Sequence, residues 1–398
     1  MIRVLAMAAV LSGTLAAQDP DKPSPTAGGV NEVRVTQAID KGIAFLKTAP
    51  SPDFAGSYGN SDELILWTFI HAGVPPTEPR FRELFTAAAA APMKRTYKVA
   101  LLAMCLEEMD RAKYQDKIAQ CAQFLVDTQC TNGQWGYGNK VESVKDVPVP
   151  APEVSKDVPT APAGKPPVFG AKAKPAAKKL TIKKTADGPE AGDNSNSQYA
   201  ALGLRACHDA GIVIPEATIS AAVKAWKASL FNEADRSKAK DAKKSVASSG
   251  GSVAEGWNYK TAEADERAPY HAMTAGGVGA MVIYLHLQKK NWKSDPAVEA
   301  GMKWLTDKFK IEASNPYYMY ALERAGILYG TETFGSRPWY REGAYAILGV
   351  QKADGSWGED LADPNGLMWY GRTWDTCFSI LFLRRATRPL VASTVAPK

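Results

Sequence analysis

Twelve segments of this chain repeat their apolar residues at the 3.6-residue period of a helix, and they alternate in character. The first of each pair, such as "VTQAIDKGIAFLK" or "DPAVEAGMKWLTDKF", has one apolar stripe and one charged face. The second, such as "DELILWTFIHAG" or "YHAMTAGGVGAMVIYLHL", is apolar or small on most faces. A helix of the first kind can cover a core, whereas one of the second kind has to be covered on both sides. Six pairs in succession predict an all-α fold of six helical hairpins, amphipathic helices outside and apolar helices inside. Repetition on this scale marks a stacked or closed helical-repeat architecture.

Two stretches interrupt the pattern. Residues 141–192 are rich in Pro, Ala and Lys and nearly free of aromatics. Such a composition buries too little apolar surface to offset the entropy of ordering, so it reads as a disordered insert. A shorter polar insert covers 232–251. The start, "MIRVLAMAAVLSGTLAAQDP", has a basic residue, a short apolar run and then small residues. That is the pattern of a signal peptide over residues 1–17, and it implies a secreted or periplasmic protein. A Pro- and Ser-containing linker over 18–30 follows, the helical body spans 31–389, and a tail occupies 390–398. No later stretch is long and apolar enough for a transmembrane span.

The net charge is +6, and the insert at 141–192, with nine lysines against six acids, carries half of it. The remaining body is close to neutral, which argues against a nucleic-acid partner. The five cysteines are an odd number, and four lie within apolar helical patterns. They read as small buried side chains rather than a disulfide frame.

A seven-residue signature occurs twice, each time just after an amphipathic helix. Gln129, Gly133 and Trp135 stand in "QCTNGQWGYG", and Gln351, Gly355 and Trp357 in "QKADGSWGED". A degenerate third copy is "GGSVAEGWNYK", with Gly256 and Trp257. Q-x-x-x-G-x-W resembles the tryptophan–glutamine repeat of squalene–hopene and oxidosqualene cyclases. Looser relatives occur in protein prenyltransferase β subunits and complement-type thioester domains. The chain is similar to this terpenoid cyclase-like superfamily over 31–389 apart from the inserts. The resemblance implies an (α/α)6 toroid and assigns the repeated Gln and Trp to structure, with Asp354-Gly355 making the tight turn.

The chemistry of each relative can be sought in the residues. Cyclases of this type protonate an alkene with the Asp of a D-x-D-D motif, and this chain has none. Prenyltransferase β subunits hold zinc with an Asp-x-Cys pair and a later His. Asp375-x-Cys377 matches the pair, but no His follows His286. Zinc catalysis needs three protein ligands and an open position, so no metal and no cofactor is expected. The thioester motif is missing. Polysaccharide lyases use Tyr or His beside an Arg or Asn that neutralises a uronate. Residues of those types sit on the inner helices here.

Inner helices of a toroid run parallel, so their first turns share one mouth, where the helix dipoles favour an anionic or polar group. The polar residues predicted at that mouth are Asp193, Asn196, Gln198, Tyr317, Trp369 and Arg372 as ligand-binding residues. Asp375, His271 and Tyr320 are the candidate catalytic groups. Asp193 also suits a helix N-cap, and Arg372 and Asp375 could pair with each other at i, i+3. Glu323 and Arg324 read as ion-pair partners between helices. Two function classes remain open at this point. One is an enzyme or binding protein that takes an isoprenoid-like or saccharide ligand in a central cavity. The other is a non-catalytic scaffold for a partner protein that the sequence does not name. An open aromatic cavity with a convergent acid supports the first, and a cavity filled by side chains supports the second.

Overall fold

The computed structural model describes residues 30–51, 61–138, 147–152, 177–231, 255–260, 268–362, 368–369 and 371–390. The leader, most of the linker, the polar insert and most of the tail lie outside these residues. Among the described residues the chain forms twelve α-helices. They are α1 Glu32–Thr48, α2 Asp62–Ala72, α3 Pro79–Ala90, α4 Thr96–Asp110, α5 Gln115–Asp127, α6 Asn194–Asp209, α7 Glu216–Ala228, α8 His271–Leu287, α9 Pro296–Asp307, α10 Pro316–Tyr329, α11 Trp339–Gly349 and α12 Gly371–Arg384. Each falls on one of the twelve periodic segments. Their ends follow local chemistry. Asn31, Asp193, Asp295 and Asn315 accept first-turn amide hydrogens, Pro296 and Pro316 occupy first helical positions, and Gly73 and Gly330 take left-handed conformations after α2 and α10.

The even-numbered helices pack on one another in order: α2 on α4, α4 on α6, α6 on α8, α8 on α10, α10 on α12 and α12 on α2. The contacts thus return to their starting point. The odd-numbered helices lie against this inner set. α1 touches α2, α11 and α12, while α5 touches α4 and α6. Burial follows the same division. Every residue of α6 from Asn194 to Cys207 is buried, whereas α1 buries only Val35, Ala38, Ile39, Gly42, Ile43 and Leu46.

The repeated signature joins neighbouring hairpins. The Gln351 side-chain amide donates to Gly355 O at 2.9 Å within its own turn and to Ala38 O of α1 at 2.8 Å. The indole N–H of Trp357 donates back to Ile347 O of α11 at 2.8 Å, and its backbone N–H donates to the Thr376 hydroxyl of α12. Gln129 repeats this arrangement, donating to Gly133 O and to Thr218 O of α7, while Trp135 donates to Leu125 O of α5. Each copy therefore holds the preceding outer helix by its Trp and the next outer helix by its Gln. Gly355, at φ +87°, would set a Cβ 2.4 Å from Lys41 O, so only glycine fits the turn there. Trp257 keeps half of the device. It donates to Trp226 O of α7 and presses on Gly301 of α9.

Where the insert is described, it departs from the expectation of disorder. Residues 177–192 are not disordered: they lie along α5 in a run of hydrogen bonds. Leu180–Thr181 pairs in parallel with Ile212–Val213, the Asp127 carboxylate accepts from the amide and hydroxyl of Thr185 at 2.7 Å, and Thr131 and Asn132 donate to Pro189 O and Glu190 O. Composition missed this because the segment is held mainly by backbone bonds and the buried Asp127 carboxylate, with only Leu180 and Ile182 packed on the core. Residues 139–146 and 153–176 of the insert lie outside the described residues. All five cysteines are buried free thiols, four of them in apolar helices as predicted and Cys130 in the turn after α5.

Trp357 is 1% exposed and packs on Gly42 of α1. Replacing it with Ala should lower stability by about 3–5 kcal/mol, measured by denaturant unfolding. Parental stability in that variant would contradict a structural role for this indole.

Candidate functional site

First-turn residues of three inner helices meet. Tyr97 of α4, Ser195 of α6 and Tyr317 of α10 bring their hydroxyl groups together: Tyr97 bonds Ser195, and Ser195 lies 3.3 Å from the Tyr317 oxygen. The Gln198 amide donates to the Tyr317 hydroxyl from one side and accepts from Arg324 Nη2 at 3.0 Å on the other. The Arg324 guanidinium lies over the Tyr320 ring, 4.2 Å from its centre. Tyr320 in turn accepts from the Trp67 indole at 3.2 Å and stacks on Phe378. A chain of polar and aromatic groups thus runs from the amino ends of the inner helices into the middle of the fold. Its members are bonded to one another.

Burial shapes the acid–base behaviour of these groups. It raises the Tyr97 phenol well above its ordinary range, and it raises Tyr317 and Tyr320 as well. None of these phenols is an accessible base near neutral pH. Glu63 pairs with Lys98 at 2.9 Å, yet burial pushes its carboxyl up to about 7.

The predicted site residues divide into three groups. Gln198, Tyr317 and Tyr320 belong to the central network. Asp193 and Asn196 sit beside it as a cap. The Asp193 carboxylate accepts from the Asn196 amide hydrogen at 2.7 Å and from its side chain at 2.9 Å. His271 faces away, with Nε2 2.6 Å from Lys308 O and its ring edge-on to Trp304 and Tyr318. Burial lowers its pKa. Arg372 does not pair with Asp375. It binds Asp360 and Asp354, each at 2.9 Å, and so braces the turn of the second signature. Asp375 lies against Gly358, where burial first and Asp360 second push its carboxyl up to about 7. Trp369 lies in the short strand Met368–Trp369, opposite Leu361. Cys377 is fully buried and bonded to Thr68, with its thiol pushed up to about 12, on a different surface of α12 from Asp375.

Three participants were not foreseen. Tyr97 stands between Arg95 and Lys98, whose charges stand out more in the sequence. Ser195 was not singled out in the sequence as a site residue. Neither Glu323 nor Arg324 forms the expected ion pair between helices among the described residues: Arg324 turns inward to Gln198, while Glu323 accepts from the Thr387 amide at 2.9 Å and from its hydroxyl.

Deeper in, a cavity of about 50 Å³ lies between Trp67, Met104, Leu202 and Tyr320, under Ala386, Thr387 and Arg388. Ligand pockets run to roughly 300–1,000 Å³, so this one has room for a few waters only. A larger open space of about 490 Å³ lies at the edge, between the end of α1 and α3. It borders Ser51, beyond which residues 52–60 lie outside the described set.

Set against known protein families and curated proteins, the chain matches none. Among the described residues no three His, Cys, Asp or Glu side chains are placed to hold a metal ion, and no helix is long and apolar enough to cross a membrane.

The buried carboxyl of Glu323 is also pushed up to about 7 by its burial. A carboxyl whose folded pKa is raised favours folding when protonated. Its contribution is complete below the unfolded value near 4.5 and is lost as pH rises through 7. Going from pH 5 to pH 8, the parent should therefore lose on the order of 2 kcal/mol relative to Glu323→Gln, read from paired melting curves. Parallel curves across that window would refute the assignment.

Proposed function

We propose that this chain is an exported (α/α)6 toroid of the cyclase/prenyltransferase repeat type that acts as a non-catalytic protein-interaction scaffold. The ring of inner-helix contacts and the two linking signatures support the toroid. The export reading rests on the leader pattern over 1–17. The observation that carries the scaffold reading is the interior. The hydroxyl, amide and guanidinium groups of Tyr97, Ser195, Gln198, Tyr317 and Arg324 meet one another, and the cavity below them measures about 50 Å³. A polyprenyl chain or an oligosaccharide needs several times that space. The absence of D-x-D-D in the sequence points the same way.

A second reading rests on Asp375. Its carboxyl is pushed up to about 7 and has no hydrogen-bond or ion-pair partner among the described residues. A protonated acid in that state could donate to a ligand at the amino-end mouth, as a terpene cyclase-like or lyase-like enzyme requires.

Calorimetric titration with farnesyl diphosphate, squalene in detergent and oligouronates separates the two. The scaffold reading expects no saturable heat from any of them. Saturable binding that weakens in Asp375→Asn would replace it with the enzyme reading.

A further inference from the structure

The carboxyl ends of the inner helices are crossed by the chain's own last described residues. After α12 the backbone turns sharply. Arg385 takes a left-handed conformation at φ +49°, and the amides of Arg385 and Ala386 bond back to Phe382 O and Leu381 O. A left-handed residue of this kind closes a helix and turns the residues after it away from its axis. Those residues are gripped from three helices. Glu323 of α10 takes both the amide and the hydroxyl of Thr387. Arg205 of α6 donates to the carbonyls of Arg388 at 2.7 Å and Pro389 at 3.2 Å. Glu108 of α4 receives the Arg388 guanidinium at 2.9 Å, with Glu107 at 3.8 Å.

Backbone N–H, backbone C=O and one side chain of the tetrapeptide Ala386–Pro389 are thus each met by a different inner helix. This is how a groove recognises a peptide, main chain first and one specifying side chain second. The groove also has a charge preference. Glu107, Glu108 and Asp209 line the space under the segment and Glu323 holds Thr387, against Arg205 and Arg111, which donates to Asp209 O, so a basic peptide suits it. Beneath the segment lies the small cavity walled by Trp67, Met104, Leu202 and Tyr320.

We propose that the carboxyl end of the inner ring is a peptide-binding groove, occupied in cis by Ala386–Pro389, which exchanges that segment for a basic peptide of Thr-Arg type. The proposal rests on the scaffold reading and names its binding face and partner chemistry. It stands or falls separately from it, because small-molecule titration does not probe this groove.

The test uses the full chain with the occupant weakened and the groove untouched. Thr387→Pro combined with Arg388→Ala removes the amide, the hydroxyl and the guanidinium of the cis segment. A fluorescein-labelled peptide with the sequence of Arg385–Val391, RATRPLV, is then titrated by anisotropy. The double variant should bind it at least tenfold more tightly than the parent, and adding Arg205→Ala should abolish the gain. Equal binding by both proteins, or no binding by a double variant that melts cooperatively, would overturn the proposal. Should the double variant not fold, amide exchange on the parent decides. Release of the segment requires the Thr387 amide to exchange through a local opening, faster than the core amides of α12. Exchange of Thr387 only through global unfolding would refute it.

Discussion

The rest of the structure depends on one interaction made twice: a glutamine amide reaching from the turn after one outer helix to a backbone carbonyl in the next. Gln351 does this for α11 and α1, the last and first outer helices of the chain. The link therefore spans more than three hundred residues of sequence. Each bond is worth about 1 kcal/mol. Its leverage comes from position, because it fixes how successive hairpins are set against each other. The tryptophan two residues after the glycine turns the same loop into a wedge, with its indole N–H tied to the helix behind and its ring against small residues of the helix ahead. Gly42 and Gly301 are the two clearest of those small residues, and any Cβ there would strike the Trp357 or Trp257 ring.

The inner helices contact one another in a closed order, and polar groups from several of them meet between them. Phenols, an amide and a guanidinium close the amino end, while the segment after α12 crosses the carboxyl end. Buried polar groups are costly unless each finds a partner. Most do here, although Asn196 Oδ1 and Arg324 Nη1 lack one. The Tyr284 hydroxyl is buried and unbonded too. Among the described residues, the cavity walled by Trp67, Met104, Leu202 and Tyr320 measures about 50 Å³, several times smaller than a large substrate needs. Surfaces, rather than the axis, are then where the proposed scaffold would act.

How much of this could be read from the residues depends on the length over which the signal repeats. Helices announce themselves over three or four turns, so all twelve were legible, and so was the structural role of Gln351 and Trp357. Single contacts are another matter. Glu323 and Arg324 are neighbours in sequence, but neighbours on a helix point about 100° apart. One therefore meets the last segment of the chain and the other the central network. Arg372 looked like a partner for Asp375 at helical spacing, yet Asp354 and Asp360 in the loop before it lie closer. His271 sits in a first turn as expected, but its face of α8 looks toward α9. The order of residues 177–192 could not be inferred from composition, since Asp127 and a row of carbonyls hold them.

Native-state hydrogen exchange tests the central claim most directly, namely that the glutamine link makes the first and last hairpins one unit. If it does, the slowest amides of α1 and α11 should exchange with the same opening free energy in the parent and should fall together in Gln351→Ala. Exchange of α1 in the parent through its own, lower-energy opening, unaffected by Gln351→Ala, would contradict the account.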